Sequence, residues 1–531
     1  MNRHRRAVLF ASASVLAACG GGNSNAPAPA PAPPPFVFPT PDPTTRVSGT
    51  AAFAAGCDGG TVVNNGTLYP EAEVEPTVAL DPSNPGQMIG TWQQNRWSGG
   101  ASQGILAAYS VDGGAAWTHS SAPLSRCTGG TAANGGDYER VSDPWVAISP
   151  GGTSYLMALA IGSGGTSSAM LVSRSIDHGQ TWSDPTRLIL DGAAYFNDKN
   201  SITADPLIAA NAYAVWDRLG PNSNGPTIFA RTTDDGASWS QPLAIYDPGI
   251  NAQTLGNEIV VTSNGTLVNI ASRFARSGGT THADLIALRS TDQGTTWLAP
   301  IKINDLLSVG AINPQTREAI RDGSDLPQAA AGRNGEIYVV WQDARNTNGQ
   351  IDAVLLSKST DDGLTWSTPV RVNTQPTVQA FTPRVHVRSD GAVAVSYFDT
   401  RNDTSDPATL PTDYWLVRST DGGTTWSEAH IAGPFDIALA PSALGLFLGD
   451  YQGLTSSATG FLSFFVQTTR DGAANRTDVF RQDVPLTGPG PIDAKVQAPA
   501  ALPVAQPNAS FRARVSARIE LVRAGRGRPA P

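Results

Sequence analysis

Three polar residues that could do chemistry stand where an otherwise repetitive sequence departs from its own pattern. Glu258 opens one apolar run, and Arg273 closes the run that follows it. No Asp accompanies Arg273 in the sequence, so we expect its planar guanidinium group to be free to bind a ligand. Tyr451 follows Gly449 and Asp450 in the last repeated unit. A carboxylate, a guanidinium and a phenol can between them exchange protons and hold an anion.

Other charged residues recur at equivalent positions of the repeated units and form two wider sets of candidates. The arginines at the ends of the second predicted strands are Arg96, Arg218, Arg273, Arg345, Arg401 and Arg470. The acids at the starts of the first predicted strands are Glu75, Asp143, Asp205, Glu258, Asp325 and Asp450. The repeated patterns Asp217-Arg218, Asp343-x-Arg345 and Asp399-x-Arg401 predict structural ion pairs or loop clamps, with substrate contact as the alternative.

One eight-residue signature, Ser/Thr-x-Asp-x-Gly-x-Thr-Trp, positions these candidates because it recurs six times. Its copies begin at Ser110, Ser175, Thr232, Ser290, Ser359 and Ser419, and their Asp residues lie 65, 57, 58, 69 and 60 positions apart. The Asp side chain can accept backbone N–H groups, and the Gly permits a positive φ, so each copy predicts a tight hairpin. Self-similarity at this period indicates an array of equivalent supersecondary units.

Each unit divides into four short apolar runs separated by Gly-bearing turns, which predicts a four-stranded antiparallel meander. Seven units begin near Glu75, Asp143, Asp205, Glu258, Leu326, Thr382 and Gly449. The seventh unit lacks a fourth strand, and Thr61-Val62-Val63-Asn64 echoes the run that follows a signature. We therefore expect an all-β fold of seven units closed by this N-terminal strand, with six units as the alternative.

The signature resembles the Asp-box, or BNR repeat, of sialidases and related β-propellers, and the resemblance covers about residues 58–487. It implies a β-propeller of four-stranded blades with an Asp-box hairpin at one edge of each blade. The functional face is then the opposite one, where first strands begin and second strands end. The resemblance is specific for the fold, since Asp-boxes also occur in family members that are not sialidases.

The family resemblance also implies roles for individual residues. Tyr451 corresponds to the sialidase nucleophile from the last blade, and Glu258 to the Glu that takes its proton. A neutral phenol approaches the carboxylate-bearing anomeric carbon of an acidic sugar without charge repulsion, but its pKa near 10 requires such a base. Arginines clamp the sugar carboxylate, and an Asp acts as general acid. This pattern implies a retaining exo-glycosidase that acts on acidic glycans.

The sequence departs from the sialidase pattern in its first unit, which reads Glu75-Pro76-Thr77-Val78 where the family has Arg-Ile-Pro. Arg140, Arg384 or Arg401 could complete the arginine cluster, and Asp143 or Asp399 could supply the acid. We take Tyr451, Glu258 and Asp143 as the catalytic candidates, and Arg273, Arg401, Arg384 and Asp450 as the substrate-binding candidates. The alternative is a non-catalytic propeller that binds glycans or proteins, with Glu258 and Arg273 as an ion pair and Tyr451 as channel packing.

The two ends of the chain lie outside the repeats. Residues 1–18 carry basic residues and a short apolar segment, as in a signal peptide, and Leu16-Ala17-Ala18-Cys19-Gly20 resembles a bacterial lipobox. The resemblance implies a lipid anchor at Cys19 and a cell-envelope location, in the outer membrane of a Gram-negative bacterium. Residues 19–57 are an Ala/Pro-rich tether, 58–487 the repeats, and 488–531 a Pro/Arg-rich tail without fixed structure.

The remaining composition bounds the partners of the protein. In an oxidising envelope Cys57 and Cys127 could form a disulfide, with two free thiols as the alternative. The net charge of −9 argues against nucleic-acid binding. The six His residues are scattered, and the Asp spacing fits no calcium loop, so neither a metal nor a cofactor is predicted. We expect a monomer with a glycan substrate or ligand.

Overall fold

A computed structural model of the chain describes residues 44–50, 53–59, 66–278, 280–469, 476–486 and 494–497, the last with its backbone only. The predicted signal peptide, Cys19, most of the tether and Thr61-Val62-Val63-Asn64 lie outside the described residues, as does Arg470. The fold of the described residues is all-β, as predicted, with short 3-10 helices at Arg126–Thr128, Ser163–Gly165, Pro221–Ser223, Arg345–Thr347 and Ile437–Leu439.

The strands pair in consecutive antiparallel meanders, because apolar runs alternate with Gly-bearing turns along the chain. The first meander contains β2 (Leu68–Leu80), β3 (Met88–Trp97), β4 (Ser102–Ser110) and β5 (Thr118–Ser120). The second contains β6 (Arg140–Ile148), β7 (Ser154–Ile161), β8 (Ser167–Ser175) and β9 (Thr186–Gly192). The third contains β10 (Phe196–Ala204), β11 (Ala212–Leu219), β12 (Thr227–Thr232) and β13 (Leu243–Tyr246).

The later meanders follow the same plan. The fourth contains β14 (Ala252–Val261), β15 (Leu267–Ser277), β16 (Thr280–Ser290) and β17 (Ile301–Asp305). After the bridge strand β18 (Ile320–Arg321), the fifth contains β19 (Gln328–Ala331), β20 (Ile337–Asp343), β21 (Ala353–Ser359) and β22 (Val370–Arg371). The sixth contains β23 (Ala380–Val387), β24 (Val393–Asp399), β25 (Pro411–Ser419) and β26 (Thr425–Asp436).

The last meander meets strands from the N-terminal part of the chain. After β27 (Leu446–Phe447), which pairs in parallel with β18, it contains β28 (Gly453–Ser456), β29 (Gly460–Thr468) and β30 (Thr477–Pro485). Its β30 pairs antiparallel with β1 (Thr45–Arg46) and touches β2 of the first meander. The pairing strand is thus Thr45–Arg46, well before Thr61. In the predicted tail, β31 (Ala494–Gln497) pairs with β26.

The six copies of the signature form one repeated hydrogen-bonded turn between the third and fourth strands of their meanders. In each copy the Ser or Thr hydroxyl donates to the Asp at 2.7–2.8 Å and accepts from the Gly N–H at 2.8–2.9 Å. The Asp also accepts the N–H four residues later at 2.8–2.9 Å. The signature therefore builds hairpins, as its residue types predict.

Neighbouring meanders pack through apolar side chains that alternate along their strands. Tyr213 and Phe229 of the third meander share a buried cluster with Ile259 of the fourth. The signature Trp residues continue this packing, since the ring of Trp117 lies 5.5 Å from that of Phe464 in the last meander. No helix among the described residues is long and apolar enough to cross a membrane.

Candidate functional site

The first strands of five meanders share a local backbone distortion. Glu75, Asp143, Lys199 and Thr382 have positive φ angles of 46–55°, and the strand register shifts at each of these places. Gly256 fills the equivalent place in β14 with a φ of 66°. Such β-bulges re-aim side chains. A left-handed conformation costs a non-Gly residue energy, so its repetition marks a functional or positional constraint.

The centre of the site is Lys199 of β10, whose ammonium group contacts three carboxylates from three parts of the chain. Its Nζ lies 3.2 Å from Glu75 Oε1, 2.7 Å from Asp143 Oδ1 and 2.8 Å from Asp450 Oδ2. The Lys199 side chain is only 5% exposed. Asp450 also receives two hydrogen bonds from Arg321, at 3.0 and 2.7 Å. Positive and negative groups thus neutralise one another at short range.

Tyr451 lies beside Glu75 in this cluster. Its single hydroxyl proton lies within reach of two acceptors, the Pro144 carbonyl oxygen at 3.2 Å and Glu75 Oε2 at 3.5 Å. The Tyr451 ring packs edge-on against Trp145 with the ring centroids 5.2 Å apart. Burial, followed by the charges of Glu75, Asp143 and Asp450, raises the pKa of Tyr451 well above 10. Gln93 donates through its amide nitrogen to the same oxygen of Glu75.

The protonation of Glu75 is balanced near neutrality by opposing effects. Burial raises its pKa, Lys199 lowers it, Asp143 and Asp450 raise it and Arg96 lowers it, which gives a pKa of about 7. A group with this pKa can both accept and donate a proton near pH 7.

The site opens into a small cavity of about 80 Å³. Cationic side chains dominate its polar lining, which consists of Arg96, Arg140, Arg321, Lys199, Asp143, Asp198 and Ser142. Arg96 and Arg140 are buried, and among the described residues neither forms a direct ion pair with a carboxylate. Arg96 donates to Gln93 Oε1 at 2.6 Å, and Arg140 donates to the Gly100 carbonyl oxygen at 2.8 Å.

The buried arginines retain hydrogen-bonding capacity that this structure leaves unused. The Nε atoms of Arg96 and Arg140 are both buried without an acceptor. Burial, then the charge of Arg321, lowers the pKa of Arg96 to about 10, and burial lowers the pKa of Arg140. Buried donors without acceptors are costly. Both side chains line the cavity, so an anionic group bound there would lie close to two positive charges.

The structure corrects the sequence prediction for Glu258. This residue does not contact Tyr451, because its carboxylate accepts from Arg384 Nη1 at 2.9 Å and from the Ala329 N–H at 2.8 Å. Arg384 also lies over the Trp145 ring at 5.2 Å, so the pair is adjacent to the cluster but separated from Tyr451 by an indole. Glu75, which was only one of the first-strand acids, occupies the position predicted for Glu258.

The prediction of a free Arg273 was wrong. Asp284 lies directly opposite on β16 and accepts from this guanidinium at 3.0 and 2.6 Å, while Tyr246 accepts at 3.1 Å. These hydrogen bonds, above all those to Asp284, raise the pKa of Arg273 against the effect of its burial. Arg273 therefore serves strand pairing.

Arg401 is also committed to structural contacts. It pairs with Asp399 at 2.7 Å and with Glu428 at 2.9 Å, and its guanidinium group stacks on the Trp415 ring at 3.4 Å. Its ion pair with Asp399 is the one that the repeated Asp-x-Arg pattern predicts, so Arg401 is removed from the substrate-binding set.

The other repeated pairs divide in two. Arg345 pairs with Asp343 at 2.7 Å, as expected, whereas Arg218 pairs with Asp191 of β9 rather than with the adjacent Asp217.

Of the catalytic and substrate-binding candidates that the sequence predicts, Tyr451, Asp143 and Asp450 meet in the cluster, and Glu258, Arg384, Arg273 and Arg401 lie outside it. The sequence pattern does not indicate Lys199, because it predicts that the third unit begins at Asp205. That residue instead follows the end of β10 and accepts from the Tyr213 hydroxyl at 2.7 Å. Lys199 lies six residues earlier in β10, whose sequence FNDKNSITA is too polar to show the apolar alternation of a strand.

Cys57 and Cys127 form a disulfide with a Cα–Cα distance of 4.9 Å. It fastens the N-terminal segment to the connection between the first and second meanders. Asp58 accepts from the Gln103 amide at 3.0 Å, and Arg126 donates to the Asp58 carbonyl oxygen at 3.1 Å. Among the described residues no cluster of His, Cys, Asp and Glu could hold a metal ion.

No protein-family model matches the chain, and no curated protein matches it. The solved structures to which it is similar include the Penicillium chrysogenum alpha-L-arabinanase complexed with arabinobiose. The two sequences are 15% identical, the match covers 84% of this chain and 99% of the arabinanase chain, and the TM-score is 0.43.

Two sialidases are also similar in structure. A Hadza microbial sialidase has 17% identity, covers 74% of this chain and 75% of its own, and has a TM-score of 0.42. The Trypanosoma rangeli sialidase in complex with the inhibitor DANA has 14% identity, 69% and 58% coverage, and a TM-score of 0.40. These values leave the function to be inferred from this chain's own residues.

Proposed function

We propose that the protein is a glycan-acting hydrolase that takes an acidic sugar into the cavity above Lys199. The observation that carries the proposal is the contact between the Tyr451 hydroxyl and Glu75, next to a cavity lined by the buried Arg96 and Arg140. Within the described part of the chain, neither arginine has a carboxylate partner. A phenol beside a base is an activatable nucleophile, and paired guanidinium groups suit a carboxylate.

The proposed reaction is a retaining displacement at the anomeric carbon. Glu75 takes the phenolic proton of Tyr451 as the phenolic oxygen attacks that carbon. The bond to the leaving group breaks, and the departing oxygen takes a proton from water. A second water then attacks the anomeric carbon while the Asp143 carboxylate takes a proton from it. Tyr451 leaves as a phenol after the proton returns from Glu75, and Asp143 releases its proton to solvent, so the protein ends in its starting state.

A second candidate function, non-catalytic binding of an acidic glycan or protein segment, is favoured by one observation. Tyr451 is 3% exposed and does not line the cavity, whereas Lys199 and Asp143 do. A ligand could thus pair with Arg96 and Arg140 without reaching the phenol. The cavity is also small beside the roughly 300–1,000 Å³ typical of small-molecule sites.

The proposal extends to architecture and location. We propose that the meanders are the blades of a seven-bladed propeller, closed where β1 adds to β30 as the fourth strand of the last blade. We further propose that the chain is a monomeric lipoprotein anchored through Cys19 in the outer membrane. The pairing of Thr45 and Arg46 with β30 and the contact of Trp117 with Phe464 support the closure.

The experiment that tests the function measures hydrolysis of aryl glycosides of sialic acid, glucuronic acid and arabinofuranose by the purified protein. We expect activity on an acidic sugar, and a loss of about 100-fold or more in kcat/KM for Tyr451→Phe and Glu75→Gln. Tyr414→Phe is the matched control, because this buried tyrosine donates instead to the Ser396 hydroxyl at 2.8 Å. Equal rates for wild type and Tyr451→Phe would show that Tyr451 is not the nucleophile.

The same panel separates the two candidate functions. If no glycoside is hydrolysed but calorimetry detects an acidic sugar that Arg140→Met no longer binds, the binding function stands. If neutral arabinofuranosides are hydrolysed and acidic ones are not, the arginine-lined cavity does not select the substrate.

A further inference from the structure

The side chain of Lys199 occupies the one point where the carboxylates of Glu75, Asp143 and Asp450 converge. It reaches this point from a left-handed backbone position in β10, with a φ of 46°. A lysine adopts that conformation at a cost, so contacts of its surroundings must hold it there. Its three carboxylate contacts, all at 3.2 Å or less, are the evident source.

The two oxygens of Glu75 have different partners. Oε1 contacts Lys199, while Oε2 accepts from Gln93 and from the Tyr451 hydroxyl. A carboxylate is planar, so fixing one oxygen on the ammonium group limits where the other can point. The contact between Glu75 and Tyr451 is therefore shaped by Lys199, which touches the carboxylate from the opposite side.

We propose that Lys199 is a positioning residue for Glu75, holding one carboxylate oxygen so that the other faces Tyr451. The use of Glu75 as a base rests on the function proposed above, whereas the contact with Lys199 does not. Lys199 also lines the cavity, and its positioning role is exercised through Glu75.

The ionisation of Glu75 depends on all charged groups that face it. Lys199 of β10 and Arg96 of β3 favour its ionised form, while Asp143 of β6 and Asp450 before β28 oppose it. Arg321 is paired with Asp450. Of the two positive charges, Lys199 has the larger effect on the pKa of Glu75. Its removal would take away the ammonium group that all three carboxylates contact. Protonation of Glu75 would then persist to higher pH.

The test is a double-mutant cycle measured at two pH values by urea unfolding of the whole chain. The four proteins are wild type, Glu75→Gln, Lys199→Met and the double variant. At pH 8.5, where Glu75 is ionised, we expect the unfolding constant of the double variant to differ by tenfold or more from the value obtained by multiplying the two single effects. At pH 5.5, where it is protonated, the departure should fall below about threefold, because a neutral carboxyl group has no ion pair to lose.

A role for Lys199 that does not act through the ionised Glu75 would not produce this pH dependence, so coupling that is equal at both pH values would overturn the proposal. Lys358→Met is the matched control in a second cycle, because this lysine lies over the Tyr338 ring in another meander and should show no coupling with Glu75 at either pH. If Lys199→Met does not fold, Lys199→Gln keeps donors for the carboxylates without the charge and takes its place.

Hydrolysis gives an independent readout. The ascending limb of the pH–rate profile should move to higher pH in Lys199→Met and return towards wild type in Lys199→Arg. Coupling that varies with pH in a protein without hydrolytic activity would refute the proposed function and leave the role of Lys199 intact. Hydrolysis with an unchanged pH–rate profile, together with coupling that does not vary with pH, would support the proposed function and refute the role of Lys199.

Discussion

Removal of the Cys57–Cys127 disulfide should destabilise the protein by about 4 kcal/mol. The bond closes a loop across a sequence separation of 70 residues. A loop of this length limits the unfolded chain by an entropy worth about 4 kcal/mol at 25 °C, near the upper end of the range for native disulfides. The surrounding hydrogen bonds from Gln103 and Arg126 to Asp58 remain possible without the bond, so the folded state loses little else.

The assay compares wild type with Cys57→Ala/Cys127→Ala in guanidinium chloride, followed by Trp fluorescence. Hydrogen exchange should rise most in residues 53–59, which the bond fastens to the connection after the first meander. Both proteins are also measured with a reductant, where their stabilities should coincide because both then lack the bond. A loss below about 1 kcal/mol under oxidising conditions, or a difference that persists after reduction, would refute the reasoning.

Two further predictions concern groups outside the cavity. Burial, and then the charge of Asp322, raises the pKa of Asp352 from 3.8 to about 7. Between these two pH values the folded state binds more protons than the unfolded state. The free energy of unfolding should therefore fall by up to about 4 kcal/mol as the pH rises through this range. Asp352→Asn should remove this decline in urea unfolding from pH 4 to 8, and an unchanged slope would contradict the assignment. Ser290→Ala should cost about 1–2 kcal/mol in thermal unfolding, because the buried hydroxyl bonds both Asp292 and the Gly294 N–H, and no loss would show that the signature turn does not need it.

The parts that sequence could predict are those fixed by local chemistry. Each signature carries its own hydrogen-bonding partners within five residues, so its turn forms the same way wherever it occurs. Strand alternation likewise predicts the meanders, and the face opposite the signature turns does hold the cavity. The recurring Asp-x-Arg pairs at Arg345 and Arg401 are of the same kind, because donor and acceptor lie two residues apart.

The parts that sequence could not predict depend on which strands become neighbours. Glu75 meets Tyr451 although they are separated by 376 residues, because the first and last meanders are adjacent. Lys199 enters the cluster through a backbone bulge that no residue pattern announces. Arg321 comes from a connection between meanders, where strand periodicity gives no information. The pairing of Asp284 with Arg273 could have been predicted, because counting residues back from the turn between the antiparallel strands β15 and β16 places the two opposite each other.

The disulfide also determines which part of the chain carries tension when the N-terminus is pulled. A load ahead of Thr45 acts first on the two-residue β1, whose release frees only the short stretch between Arg46 and Cys57. From there the sulfur atoms pass the load directly to Cys127, so residues 58–126 lie off the load path. That shielded segment contains the whole first meander, including Glu75 and the other residues that it contributes to the cavity. A mechanical pull on the N-terminal side would thus reach the later meanders before it disturbed the base beside Tyr451.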